Sequence, residues 1–173
     1  MPKSKPTPKS DILAIVPVAS APHTGPRDIS AVAKALSDVL SDTYRLTFKT
    51  HAYHWNVEGP LFYPVHILTE GQYENLFAAA DVLAERLRAL GRLAPMHMGK
   101  MIAESVIKDL EAVPSAREMI EDLQRDHARI ASRMHALFAL AEAARDPVTA
   151  DLATQRSAFH EKAAWMLHAT AAT

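Results

Sequence analysis

The sequence predicts an all-α protein, a bundle of four long helices with a long crossover between the second and the third. Three observations predict it. Apolar residues recur at steps of three and four through four separate stretches, the period of a helix with one buried face. No stretch shows the alternation of a half-buried strand. The one long connection, residues 92–114, falls between the second and third stretches. With 173 residues, 49% of them hydrophobic, the chain has enough apolar material for a single core.

The first 27 residues stand apart, because they hold six of the eleven prolines. Proline removes amide donors and opposes helix. Residues 1–27 are therefore expected to form a flexible arm and residues 28–173 the folded domain. Ile12, Leu13, Ile15 and Val16 give the arm an apolar segment to lay on a neighbour.

A first helix is expected from Asp28 or Ser30, either of which suits an N-cap. Its stripe is Ile29, Val32, Ala33, Leu36, Val39, Leu40, Thr43 and Leu46, and it runs to about Asn56 before the turn Glu58-Gly59-Pro60. The second begins near Leu61 to Pro64, since proline is tolerated in a first turn. Val65, Leu68, Leu76, Phe77, Ala80, Leu83, Ala84, Leu87 and Leu90 are its expected inner face, and Gly91 stops it. The crossover has room for a short helix around Met101 to Leu110. The third helix spans about Ser115 to Ala144, with Ile120, Leu123, His127, Ile130, Met134, Leu137 and Leu140 inward. Asp146-Pro147 breaks it, and the fourth covers about Val148 to Ala169. This order fits a ferritin-like bundle, and fits a plain up-and-down bundle nearly as well.

Composition removes several classes of function. There is no cysteine, so no disulfide, zinc-thiolate site or thiol nucleophile exists. A metal would be held by His, Asp and Glu, a set that suits iron, manganese or zinc. No run of about 18 apolar residues is present to span a membrane. No signal peptide is read at the start, and a cytoplasmic protein is expected. The net charge of −1 divides unevenly. The first ten residues carry Lys3, Lys5 and Lys9 and no acid, which leaves 16 basic against 20 acidic residues elsewhere.

The densest set of possible ligands is His51, His54, His66, Glu70, Asp81 and Glu85. His66 and Glu70 are four apart, as are Asp81 and Glu85, so each pair shares a helix face. At ~100° per residue all four lie within roughly 100° of one another. They cannot meet on one metal within one chain, since His66 and Asp81 are roughly 22 Å apart along a helix. Yet His66 pairs with Glu85, and Glu70 with Asp81, about one midpoint between Asn75 and Leu76. Two copies of this helix crossing antiparallel there would bring His66 and Glu70 of each to Glu85 and Asp81 of the other, the self-complementarity of an isologous dimer. His54 could join from the end of the first helix. The plainer reading is a solvated acidic face, with Glu85-Arg86 part of an ordinary ion pair. A di-iron site inside one bundle would need Glu-x-x-His twice, and none of the nine histidines has Glu three residues before it.

At these residues the chain resembles the Dps family. His54-Trp-Asn-Val-Glu-Gly59, with Phe62, Val65-His66 and Glu70, resembles one signature of that family. Asp81-Val-Leu-Ala-Glu85-Arg86 followed by Leu90-Gly91 resembles a second, and Thr149-Ala-Asp151 and Trp165 stand at familiar spacings. The resemblance implies a homo-oligomer, a dodecameric shell that stores iron as Fe(III) mineral. It implies ferroxidase centres between subunits that favour hydrogen peroxide as oxidant. His54, His66 and Glu70 match the ligands of one subunit, and Asp81 and Glu85 those of its two-fold mate. Glu70 departs from the more usual Asp, which puts the spacing of two metals in doubt. Trp55 is read as packing at the dimer contact or as an electron donor.

The resemblance further places acids at the start of the fourth helix around iron-entry pores. Asp146 and Asp151 match that region and Glu142 can join them, while helix capping is the other role open to Asp146. Lys3, Lys5 and Lys9 suit non-specific DNA contact, multiplied by the many arms of a shell. The alternative functions are a DNA-compacting nucleoid protein with a weak metal site and a structural bundle with fortuitous acids. His97, His127, His135, His160 and His168 are read as surface or packing residues, and Met96-His97-Met98 as loop packing.

Overall fold

The computed structural model describes residues 14–22, 25–26 and 28–172. Lys3, Lys5, Lys9, Ile12 and Leu13 lie outside them. Five helices are present, and no strand occurs among the described residues: α1 (Ser30–Asn56), α2 (Phe62–Ala89), α3 (Met98–Glu104), α4 (Ala116–Ala143) and α5 (Pro147–Ala171). The four long helices form the bundle, and the short α3 sits in the crossover. None of the described helices is long and apolar enough to cross a membrane.

Side-chain pairs fix the directions. His54 of α1 meets His66 of α2, and His51 meets Tyr73, so these helices are antiparallel. Lys49 of α1 reaches Asp122 and Asp126 of α4, while Asp42 reaches Arg133, so α1 and α4 are also antiparallel. Arg86 and Asn75 of α2 meet Asp146 and Arg156 of α5 in reversed order. Hence α2 and α4 run parallel, and the chain must travel the bundle's length between them. A 28-residue helix is ~42 Å long, which is why the crossover is long. This is the ferritin-like connectivity, not the plain up-and-down alternative.

The helix ends follow local chemistry. Ser115 and Glu118 form a reciprocal capping box on α4. Asp146 caps α5 by accepting from the Thr149 amide, with Pro147 in the first turn. The cap expected for α1 is not made: Ile29 holds that position and Asp28 lies in the left-handed region at φ 57°. Gly91 follows α2 at φ 74°, and its missing side chain lets Ser20 donate to its carbonyl at 2.9 Å. A Cβ there would collide with the Ser20 carbonyl.

Most expected inner positions are buried, among them Leu36, Leu40, Leu76, Leu83, Leu123 and Met134. Two are not. Phe77 is 64% exposed because it lies on the stripe shared by His66 and Glu70, and Leu140 is 37% exposed because Ala141, four after Leu137, takes the buried place. The short helix lies at Met98–Glu104, earlier than expected.

Polar anchors hold the crossover to α1. The Asp42 carboxylate accepts from Ser105 Oγ at 2.8 Å and the Val106 amide at 2.9 Å. Arg45 donates to the Ile102 carbonyl at 3.2 Å and to Asp109 at 2.7 Å. Lys49 is buried and donates to the Lys108 carbonyl, to Asp122 at 2.9 Å and to Asp126 at 2.6 Å. Tyr53 donates to Asp122 at 2.8 Å. Burial pushes the Asp126 carboxyl up, against the pull of Lys49.

Two histidines read from the sequence as surface or packing residues are fully enclosed between α4 and α5, His127 Nδ1 standing 3.0 Å from His160 Nδ1. Burial pushes His127 down to about 3 and His160 well below the ordinary histidine value. As pH falls below about 6.5 the unfolded chain takes up protons that the folded chain refuses, so acid destabilises the fold. The thermal midpoint is expected to fall between pH 7 and 5.5, and His127→Gln/His160→Gln to flatten that slope. An unchanged slope in the variant would assign the acid sensitivity elsewhere.

Candidate metal centre

The tight turn at Gly59 (φ 86°) brings the end of α1 beside the start of α2. His54 and His66 there stack with ring centroids 3.7 Å apart and planes 18° from parallel. Each imidazole binds the other's backbone: His54 Nδ1 lies 2.9 Å from the His66 carbonyl, and His66 Nδ1 lies 2.9 Å from the His54 carbonyl. A carbonyl oxygen only accepts, so both Nδ1 atoms carry hydrogen. Each neutral ring then keeps its lone pair on Nε2. Fixing a ring through Nδ1–H on a carbonyl is how proteins commonly orient a metal-binding histidine. Thr69 backs the pair: its buried hydroxyl donates to the Val65 carbonyl at 2.7 Å and sits 3.4 Å from His54 Nδ1.

Aromatic rings wall this end of the site. Phe62 stacks on His66 at 5.0 Å, and Tyr73 meets His54 edge-on at 5.2 Å. His51 does not share the clasp. It stacks on Tyr73 at 4.0 Å and tilts against Trp55 at 4.0 Å, while Trp55 stays largely exposed. Partial desolvation, with Glu70 and Glu74 nearby, raises the Tyr73 phenol above its usual value.

Glu70 lies one turn beyond His66 and is half-buried, whereas Asp81 and Glu85 are exposed far along α2. No described residue makes a hydrogen bond or ion pair to any of these three carboxylates. The ordinary ion pair for Glu85 is absent, because Arg86 turns to α5 and binds Asp146 at 2.7 Å and Thr149 at 2.9 Å. Among the described residues no three His, Asp or Glu side chains come together as a metal site. Histidines with Glu70 stand at one end of α2 and two carboxylates at the other, either side of Asn75 and Leu76. On the same outward face Tyr63, Ile67, Phe77 and Val82 are exposed apolar residues.

Of the two roles open to Asp146, the structure shows the cap. It is buried, and both oxygens are engaged by Arg86 and Thr149. Burial alone would raise its carboxyl, but Arg86 and Thr149 together hold it below the usual range. Glu142 and Asp151 are the exposed acids of that region, and Asp151 accepts from Gln155 at 2.7 Å. Sequence reasoning missed the Lys49–Asp122–Asp126 cluster and the enclosed His127–His160 pair. The only signal for either was a polar residue on an apolar stripe.

The ferritin-like domain family matches residues 33–173. A low temperature-induced protein of Nostoc sp., described as uncharacterized, is 36% identical over 138 residues, 79% of this chain and 77% of that protein. The DNA protection during starvation protein of Brevibacillus brevis is 31% identical over 138 residues, 80% of this chain and 93% of that one. A crystal structure of a Dps protein from Vibrio cholerae O1, described as a member of a broad superfamily of ferritin-like diiron-carboxylate proteins, matches with a TM-score of 0.76. It is 26% identical and covers 80% of this chain and 87% of that chain.

Proposed function

The chain belongs to the Dps family of ferritin-like proteins, and from that premise we propose that it oxidises Fe(II) at sites shared by two subunits and stores the Fe(III) product inside a dodecameric shell. The observation that carries this reading is the split ligand set. Two histidines with free Nε2 lone pairs and Glu70 occupy one end of α2, and two unpaired carboxylates occupy the other. The halves are equidistant from one midpoint, so an antiparallel crossing of two copies completes two sites at once. The exposed Tyr63, Ile67, Phe77 and Val82 supply apolar area for that crossing.

Iron is the substrate and cargo. His54, His66 and Glu70 of one subunit, with Asp81 and Glu85 of its mate, offer the mixed nitrogen and oxygen donors that iron accepts. The carboxylates stabilise the more highly charged Fe(III) through their negative charge. Two Fe(II) ions each give one electron to one hydrogen peroxide. The O–O bond breaks, two protons are taken up and two waters form, so no hydroxyl radical is released. The protein contributes the placement of ligands, and the redox step is the metal's. Glu142 and Asp151 are assigned to attracting cations toward an entry route.

Protection of DNA follows from removing iron and peroxide together and needs no contact with DNA. Lys3, Lys5 and Lys9 suit an additional, salt-sensitive hold on phosphates, opposed by the acidic remainder of the chain. The reading is tested by titrating Fe(II)-loaded protein with limiting peroxide while measuring native mass. Two Fe(II) lost per peroxide are expected, on a particle near twelve times the 19.0 kDa chain. A stable monomer that leaves Fe(II) unoxidised would remove it.

A further inference from the structure

The middle of the bundle holds a polar layer that surface iron chemistry does not use. Each long helix contributes one enclosed side chain to it: Thr50 from α1, Gln72 from α2, His127 from α4 and His160 from α5. The helix registers place them at one height. Lys49 and Tyr53 flank Thr50 and meet α4 at Asp122 and Asp126, next to His127. Asn75, one turn from Gln72, meets Arg156, one turn from His160. His127 and His160 touch directly through their Nδ1 atoms at 3.0 Å.

Polar atoms in this layer lack partners. Thr50 Oγ1, both amide atoms of Gln72, and the Nε2 atoms of His127 and His160 are buried with no hydrogen bond. So are Nε and Nη2 of Arg156, a guanidinium only 9% exposed. Its remaining contacts are Nη1 to Asn75 Oδ1 at 2.7 Å and the ring of Phe159, 4.4 Å away. Among the described residues no carboxylate pairs with Arg156. Buried polar atoms are nearly always satisfied, and a buried charge without a counter-charge is strongly unfavourable.

The chemistry of these groups selects what would satisfy them. The Nδ1–Nδ1 contact needs one donor and one acceptor. One histidine therefore carries an Nε2–H and the other an Nε2 lone pair. A metal ion bound by both Nε2 lone pairs would require two Nδ1–H groups facing each other at 3.0 Å. The charge of Arg156 repels a cation further. Water can meet the hydrogen bonds but leaves that charge uncompensated. Arg156, the Gln72 amide, one histidine Nε2–H and the Thr50 hydroxyl supply a donor-rich, net positive set of buried groups.

We propose that this layer binds a small monovalent inorganic anion of halide size, held by Arg156, the Gln72 amide and the histidine Nε2–H. The site is independent of the shared iron centre. It helps hold α2 and α5 together by neutralising the guanidinium between them.

Bromide is the direct probe. Crystals of the assembled full-length protein grown in bromide, measured at the bromine absorption edge, are expected to show an anomalous peak within hydrogen-bond reach of Arg156 and Gln72. In solution, replacing gluconate by chloride at constant ionic strength is expected to raise the thermal midpoint. The rise is roughly 3 °C per tenfold chloride above the dissociation constant. Arg156→Gln should lose that dependence, and Gln72→Leu should weaken it if the first variant does not fold. Water alone in the layer, a neighbouring subunit's carboxylate on Arg156, or an undiminished bromide peak in Arg156→Gln would overturn the proposal.

Discussion

Replacing Asp81 and Glu85 together by alanine is expected to slow peroxide-driven Fe(II) oxidation by roughly 100-fold or more while leaving the particle intact. Even residues that merely orient a metal ligand cost 10–100-fold when removed, and these two would be ligands. Both are exposed and neither pairs with any described residue, so the substitution breaks no contact within the subunit. Stopped-flow absorbance of the Fe(III) product measures the loss, and native mass shows that assembly survives. Rates equal to the parent's would remove the two carboxylates from the site. Glu70→Asp, which shortens the carboxylate arm by one methylene, serves as the graded control.

Lys49→Met is expected to destabilise the subunit by about 3 kcal/mol or more. Removing one partner from a buried ion pair costs roughly 3–5 kcal/mol, because the charge left behind has neither water nor counter-ion. Lys49 serves Asp122 and Asp126 at once, both buried, and also ties down the Lys108 carbonyl of the crossover. The lower end of that range applies, since Arg125 and Arg129 still reach the outer oxygens of the two aspartates at 3.5 and 2.9 Å. Methionine keeps the length and removes only the charge and donors. Denaturant or thermal unfolding reads the loss, and a change below about 1 kcal/mol would show the cluster to be marginal.

The bundle was legible because helical period reports the radial direction of each side chain. The step from Leu137 to Ala141 shows the limit: a leucine at 140 fits the three-residue step equally well, and only packing against the neighbouring helix chooses. Phe77 misled for a related reason. It lies on the stripe of His66 and Glu70, and a large apolar residue on an exposed face is indistinguishable in sequence from a core residue. The short helix ends at Glu104 because Asp42 and Arg45 hold Ser105, Val106 and Asp109 in non-helical backbone, contacts that span about 57–64 residues of sequence. Lys49 and Asp122, 73 residues apart, carry no local mark of their partnership. At the candidate centre the spacing of His66, Glu70, Asp81 and Glu85 was plain from the chain itself. The reciprocal His54–His66 clasp was not, because it depends on the turn at Gly59 bringing two helix ends together so that their imidazole rings stand 3.7 Å apart.

Under the proposed function, neither subunit holds a complete ligand set. Co-assembly of two inactive variants tests this most directly. His66→Ala removes one half of the site, and Asp81→Ala/Glu85→Ala removes the other. In particles formed from equal amounts of both, a site is whole only where an intact histidine end meets an intact carboxylate end, which by random pairing about a two-fold occurs in about one quarter of sites. Near-silent parents are expected, with a mixture that oxidises Fe(II) at about one quarter of the unaltered rate. A mixture no faster than its two parents would contradict a divided ligand set.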